Sequence, residues 1–340
     1  MSRTADAVKT RVNARAIVLS HTDPASGTEE RIAIVVVDSC MVPKLLLDDA
    51  KKRAASRTSL KPDRILVSAT HTHTAPSSFG ALGTDADPTY VPFLRERIAE
   101  AVLEAEKNLQ PARVGWGTGT AAEFTALRRW VRRPDRLADD PFGNPTVRAN
   151  MHAARNPDDV TGESGPEDPE LSIIAFQSTD GVPIAALANF SMHYFGDKPI
   201  SADYFGLFCE GLEKHARAKH PDSDMVGIMS HGCSGDIWRR DYMTWNAEQE
   251  DSSIEGYTQG LLEIATQIFD SIEYSDQADL AMAEARLPMK YRLPDKQLLK
   301  WSQDIVDAMT EHNPKDRTEV YAREQVLLHE LQSTEIVVQA

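Results

Sequence analysis

Apolar residues fall into short β-branched runs separated by turn-forming residues, and these runs alternate with longer stretches of helical period. Residues 14–20 (ARAIVLS) and 31–38 (RIAIVVVD) predict two neighbouring strands, the second buried on both faces. Residues 43–55 predict a helix with Pro43 at its start and a basic end, Lys51-Lys52-Arg53. A third strand begins at Ile65-Leu66-Val67, after Pro62 and Asp63. This strand–helix–strand order is that of a βαβ unit, which places functional groups at the carboxyl ends of its strands. Residues 92–109 form the clearest amphipathic stretch, with Phe93, Ile98, Val102 and Leu103 on or near one face. A strand is expected at 113–117. Residues 134–169, rich in Asp, Pro, Gly and Asn, predict one long ordered loop of the kind that usually serves function. Residues 171–177 and 182–190 flank Thr179-Asp180-Gly181 and predict a hairpin. Helices are expected at 205–219, 254–272, 295–309 and 318–331, a strand at 225–230, and extended chain at 280–288 and from residue 335 onward. The pattern gives an α/β layered domain with mixed β-sheets flanked by helices, a single unit over residues 1–340.

Composition narrows the function classes. The 340 residues carry 52 acidic and 37 basic side chains, a net charge of −15, which argues against nucleic acid and against an anionic membrane surface as partners. Three scattered cysteines, Cys40, Cys209 and Cys233, make no disulfide framework or zinc ribbon. No apolar run is long enough to span a membrane, and the first residues, MSRTADAVKTRV, have no signal-peptide core.

The chemistry gathers where strands end. Residues 65–80 read ILVSATHTHTAPSSFG, so a buried strand runs into Thr70-His71-Thr72-His73-Thr74 and then the breaker Ala75-Pro76. If that segment stays extended, His71 and His73 project from one face. Neutral imidazole is the commonest metal ligand and titrates near neutrality, so the pair suits a metal or a proton transfer. Two more strand ends are polar: Ser191-Met192-His193 and His231-Gly232-Cys233-Ser234-Gly235-Asp236. A mononuclear zinc hydrolase uses about three protein ligands and one open position. His71 and His193, from different strands, would supply half of a tetrahedral site, with His73 beside the metal to orient a carbonyl or an oxyanion. Each residue also has a plainer role. A histidine can bond a neighbouring carbonyl, Asp203 can cap the helix near Tyr204, and Asp236 can shape an Asx turn. Asp38, at the end of the second strand, could stand in as a ligand, and His231 could join the site. Cys233 has no base fixed near it in sequence.

Several of these segments carry a family resemblance. Thr70-His71-Thr72-His73-Thr74-Ala75-Pro76 resembles the T-H-T-H-S-G-P motif of the neutral, non-lysosomal ceramidases. Asn189-Phe190-Ser191-Met192-His193 with Ser201-Ala202-Asp203-Tyr204 is similar to that family's second zinc-histidine strand and the element after it. Gly165-Pro166-Glu167-Asp168-Pro169-Glu170 and residues 229–236 resemble two further family segments. The resemblance runs from about Val12 to the last residue and implies the amino-terminal catalytic domain. It implies that His71 and His193 ligate zinc, that His73 faces the substrate amide, and that Arg128 contacts substrate. Asp203 and Asp236 fall where outer support of the site is expected. The implied reaction is hydrolysis of the amide bond of an N-acyl, ceramide-like small-molecule or lipid substrate by metal-activated water, in a secreted or periplasmic setting.

The chain departs from the family in three places. Leu127-Arg128 replaces an Asn-Arg pair, and Gly235-Asp236-Ile237-Trp238-Arg239-Arg240 replaces a G-D/N-x-S-P-N segment, which leaves room for a polar or anionic substrate. The glutamate and tyrosine that the family uses as its remaining ligands fall beyond Ala340, so the domain is expected to be incomplete on its carboxyl side. Two other readings stay open: an amidohydrolase-type metal enzyme acting on another substrate, and a binding domain without a complete metal site.

Overall fold

The computed structural model describes residues 4–244 and 253–332 and the backbone of 335–339. Residues 1–3, 245–252, 333–334 and 340 lie outside it, so the expected amino-terminal segment and the run expected from residue 335 onward are described only in part. Strand β1 (Ala14–Thr22) pairs antiparallel with β2 (Glu29–Val37), and β2 pairs parallel with β3 (Ile65–Ala69). Helix α1 (Lys44–Ala55) makes the crossover between β2 and β3, the expected βαβ unit. Helix α2 (Tyr90–Lys107) packs beside α1. The second sheet has the order β11-β10-β9-β4, with β4 (Ala112–Thr120), β9 (Glu170–Ser178) and β10 (Pro183–Phe190) antiparallel and β11 (Val226–His231) parallel to β10. Helices α3 (Asp203–Lys219) and α4 (Ile254–Ser271) cover it.

Side-chain alternation sorts these elements into four layers. On β2, Val35 and Val37 join Ile65, Leu46 and Ile98 under α1 and α2, while Val36 turns the other way. Val36 meets Ile17 of β1 and, from the second sheet, Phe176, Ala185 and Ile228. The opposite face of that sheet, Leu171, Ile173, Ala186 and Phe190, packs on Phe205, Phe208, Leu212 and Leu261 of α3 and α4. Order is therefore helices, sheet, sheet, helices, and β2 is buried on both faces because a layer lies on each. Close approach of α4 requires glycine on β4: a Cβ on Gly115 would lie 2.4 Å from the Glu273 carbonyl oxygen.

Some expectations shift. On α2 the buried face is Leu94, Ile98, Ala99 and Val102; Phe93 is 56% exposed, with the Arg97 guanidinium over its ring. The long 134–169 stretch is ordered but not bare loop. It holds β7 (Ala149–Met151) and β8 (Val160–Glu163), which flank β6 (Arg129–Arg132) in a small sheet. Short β5 (Ala126–Leu127) pairs with β12 (Ile237–Trp238). Beyond α4, β13 (Arg286–Lys290) pairs with β14 (Glu335–Gln339), and α5 (Lys296–Asp307) packs on α6 (Arg317–Glu330). Among the described residues, two main open sheets and three small ones do not make the eightfold barrel that an amidohydrolase reading requires. Among the described residues no helix is long and apolar enough to cross a membrane.

Candidate metal centre

Three strand ends deliver histidines to one place. β3 leads to His71 and His73, β10 to His193, and β11 ends in His231. His71 and His193 have ring centroids 4.6 Å apart, His71 and His73 4.7 Å, and His71 and His231 5.4 Å. The first two strands belong to different sheets, so the cluster forms only where the sheets meet.

The path from β3 to the histidines differs from the alternation that an extended strand would give. The strand stops at Ala69, and His71 takes φ 67°, the left-handed region that a β-branched or bulky residue seldom enters. Its amide is held by the Ser39 carbonyl at 2.9 Å, and the amide of Thr70 by Val37. The kink turns the two rings toward one another instead of side by side, and their Nε2 atoms lie 3.2 Å apart. Thr72 and Thr74 donate their hydroxyls to the Ser201 carbonyl at 3.1 and 3.0 Å, tying this turn to the loop after His193. Backbone strain of this kind persists only where surroundings fix it, and it concentrates at functional sites.

Each candidate ligand has one ring nitrogen already committed. Nδ1 of His71 donates to the Cys40 carbonyl at 2.6 Å, and Nδ1 of His193 donates to the Ser234 carbonyl at 3.0 Å. In a neutral ring that bond leaves Nε2 as the lone-pair nitrogen, the one a metal takes up. Burial pushes the His193 imidazole down to about 3, helped by Arg128 and His71. Burial, then His71, pushes His73 down to about 4; its ring is stacked at 3.8 Å on Tyr194 although the residue keeps contact with solvent. His231 is held at about 4 by burial and by His71, and its Nε2 pairs with the Ser234 hydroxyl. These rings are neutral near neutral pH, and neutral imidazole is what binds zinc. The donor set therefore fits a metal.

Arg128 reaches the same place from β5. It is 6% exposed, its amide is held by the Asp236 carbonyl at 2.8 Å, and its Nη2 lies 2.8 Å from the Gly235 carbonyl and 3.3 Å from His193 Nε2. Asp236 itself contributes that backbone carbonyl and a favourable charge near the guanidinium. Asp203 is fully buried at φ 58°, and its carboxylate accepts from the amides of Phe195, Gly196 and Tyr204 at 2.7–2.8 Å. Its partners are backbone groups of the loop after His193, not an imidazole, so it shapes that loop from outside the cluster. Of Asp38, the spare ligand of the sequence reading, one oxygen accepts from Arg15 at 2.8 Å and from the Asn13 amide at 2.9 Å, and the other is buried without a hydrogen-bond partner.

Several site residues carry no motif. Cys40 lies close enough to His71 and His73 to form a three-residue metal group, but its sulfur is 3.8 Å from Nδ1, the nitrogen already held by its own carbonyl. Tyr194, Trp238 and Arg239 form a wall beside His73, with Tyr194 and Trp238 centroids 6.0 Å apart and the Arg239 guanidinium 4.4 Å from the Trp238 ring. Sequence pointed to Trp238 and Arg239 only as departures from a motif.

No family model matches the sequence, and no curated protein matches it. Solved structures do share its fold. A neutral ceramidase from Pseudomonas aeruginosa aligns with a TM-score of 0.57 at 17% identity, over 85% of this chain and 44% of that one. A ceramidase complexed with C2 aligns with a TM-score of 0.51 at 17% identity, over 81% of this chain and 40% of its own. The chain thus spans less than half the length of the ceramidases it matches, and at this identity the likeness is one of fold. What the ordered motifs suggested, the backbone repeats: the chain has a neutral ceramidase-like α/β fold.

Proposed function

We propose that the chain is a zinc-dependent hydrolase that cleaves the amide bond of an N-acyl, ceramide-like substrate, with His71 and His193 as metal ligands. One observation carries this reading: two imidazoles from different sheets lie 4.6 Å apart, each with Nδ1 tied to a backbone carbonyl and Nε2 turned into the cluster of His73 and Arg128. Zinc held there would supply Lewis acidity, lowering the pKa of a water and polarising a carbonyl. The chain's own residues do the rest. His73, neutral and fixed against Tyr194, can accept a proton from water and return it to the leaving nitrogen. Arg128 stays cationic with a buried Nε that has no hydrogen-bond partner, so it retains donors for an oxygen that gains charge. In the net reaction the water oxygen joins the acyl carbon, the C–N bond breaks, and the amine leaves with a proton. Asp203, Thr72 and Thr74 keep the two loops in register.

The test is zinc per chain in purified protein, beside His71→Ala and His193→Ala, with hydrolysis of a ceramide and of other N-acyl amides assayed in parallel. About one zinc in the wild type, lost in both variants together with hydrolysis, is the expected result. A folded wild type that takes up no zinc and splits no amide refutes the reading and leaves a binding domain.

A further inference from the structure

One histidine of the cluster has no part in the hydrolytic steps. His231 closes β11 and lies in register with Phe190 of β10, the strand that delivers His193. Its ring is stacked on His71 at 5.4 Å, with 20° between the planes, and meets the fully buried Phe205 ring edge-on at 5.7 Å. Its Nε2 is paired with the Ser234 hydroxyl, and the backbone of Met192 and of His193 supplies its further hydrogen-bond partners. The ring is thus committed to protein atoms and packed between two other rings.

Ser234, 3% exposed, links that ring to a ligand candidate. Its hydroxyl meets His231, and its carbonyl accepts from Nδ1 of His193 at 3.0 Å. The turn that carries it is pinned at both ends. The Gly232 amide donates to the Phe190 carbonyl at 3.0 Å, and the Ile237 amide donates to the Ser234 carbonyl, also at 3.0 Å. A carbonyl on Nδ1 selects the tautomer of a histidine and the direction of its other nitrogen. Whatever fixes the Ser234 peptide therefore fixes where Nε2 of His193 points.

We infer that His231 is a positioning residue of this centre: through the Ser234 hydroxyl it holds the carbonyl that sets the tautomer and direction of His193, while its ring face backs His71. The consequence for metal affinity rests on the hydrolase reading. The tautomer of His193 does not, and can be read with no metal present.

The experiment records proton–nitrogen NMR spectra of the histidine rings in the isotopically labelled, metal-free protein near neutral pH, with His193→Ala identifying the His193 signals. In the wild type His193 should be protonated on Nδ1 alone. His231→Phe, which keeps a ring against His71 but drops the bond, and Ser234→Ala should each mix the two tautomers. His231→Gln, whose side-chain amide reaches the place of Nε2, should restore the single tautomer. Zinc affinity, read by competition with a chelator, should fall roughly tenfold in the Phe and Ala variants and little in the Gln variant, because the Ile237 amide still holds the carbonyl in part. The double variant His231→Phe with Ser234→Ala should be within about twofold of either single one, since both break one link. A folded His231→Phe protein whose His193 stays wholly protonated on Nδ1 overturns the inference, as does mixing of tautomers with zinc affinity unchanged. Were His231→Phe to misfold, Ser234→Ala, which deletes one hydroxyl, decides in the same way. A wild type that takes up no zinc but shows the tautomer effect would defeat the hydrolase reading while leaving the positioning role in place.

Discussion

Protonation of His152 should cost this fold stability in mild acid, and His152→Asn should abolish that cost. His152 lies in the 134–169 segment, takes φ 63°, and gives its amide to the Arg128 carbonyl at 2.6 Å. Its Nδ1 accepts the Tyr242 hydroxyl at 2.5 Å, and its ring meets Trp238 edge-on at 5.2 Å. Burial first, then Arg155, Arg128 and Arg239, depresses its pKa from 6.5 to about 4. The folded state therefore holds the ring neutral, whereas the unfolded chain binds a proton below its own pKa. Stability from this group is complete above that value and is lost as pH falls toward the folded one. At about pH 5 the loss for one such histidine is about 2 kcal/mol, and solvent screening at a partly exposed ring reduces it to about 1 kcal/mol. Asparagine tolerates the left-handed backbone, so His152→Asn removes the titration without straining the turn. Urea unfolding of both proteins at about pH 7.5 and about pH 5 measures the difference. The wild type should lose about 1 kcal/mol more than the variant; equal losses would show that the ring is not held neutral.

Further expectations follow from single contacts. A Cβ on Gly232 would lie 2.5 Å from the Ser191 hydroxyl and 3.1 Å from the Phe190 backbone, so Gly232→Ala should cost about 1–3 kcal/mol in thermal or urea unfolding. Asp38→Ala leaves the largely buried Arg15 without its partner and should cost about 3–5 kcal/mol in urea unfolding. Phe208, fully buried between α3 and the second sheet, should cost about 3–5 kcal/mol as Phe208→Ala. Tyr194→Ala removes the ring stacked on His73 and should lower turnover more than it raises KM, whereas Tyr194→Phe, which keeps the stack, should preserve most of the rate.

The strands and helices were legible because their signals are local: β-branched runs for β1, β2 and β3, Thr179-Asp180-Gly181 for the β9–β10 hairpin, and apolar period for α2 and α4. That His71 and His193 close their strands was also legible, and the family resemblance singled out Arg128. How they meet was not. Alternation along an extended strand predicts His71 and His73 side by side, but the positive φ at His71 depends on the Ser39 carbonyl, a contact no local pattern encodes. The same holds for the carbonyls of Cys40 and Ser234, which fix two ring tautomers from 31 and 41 residues away. The long 134–169 segment was read as loop because its strands are three or four residues long, too short for a period to show. Asp203 illustrates the opposite case: its place near the site was predictable, but its attachment to three amides was not.

His71 follows β3 in one sheet, whose strands end at residue 69, and His193 follows β10 in the other, whose strands begin at residue 112. The nascent polypeptide thus makes the first half of the centre long before the second exists. No early intermediate holding only β1 to β3 can carry the chemistry, however well formed its helices. Assembly of the imidazole cluster is accordingly a late event, and its appearance during refolding would time the docking of the two halves, not the formation of either.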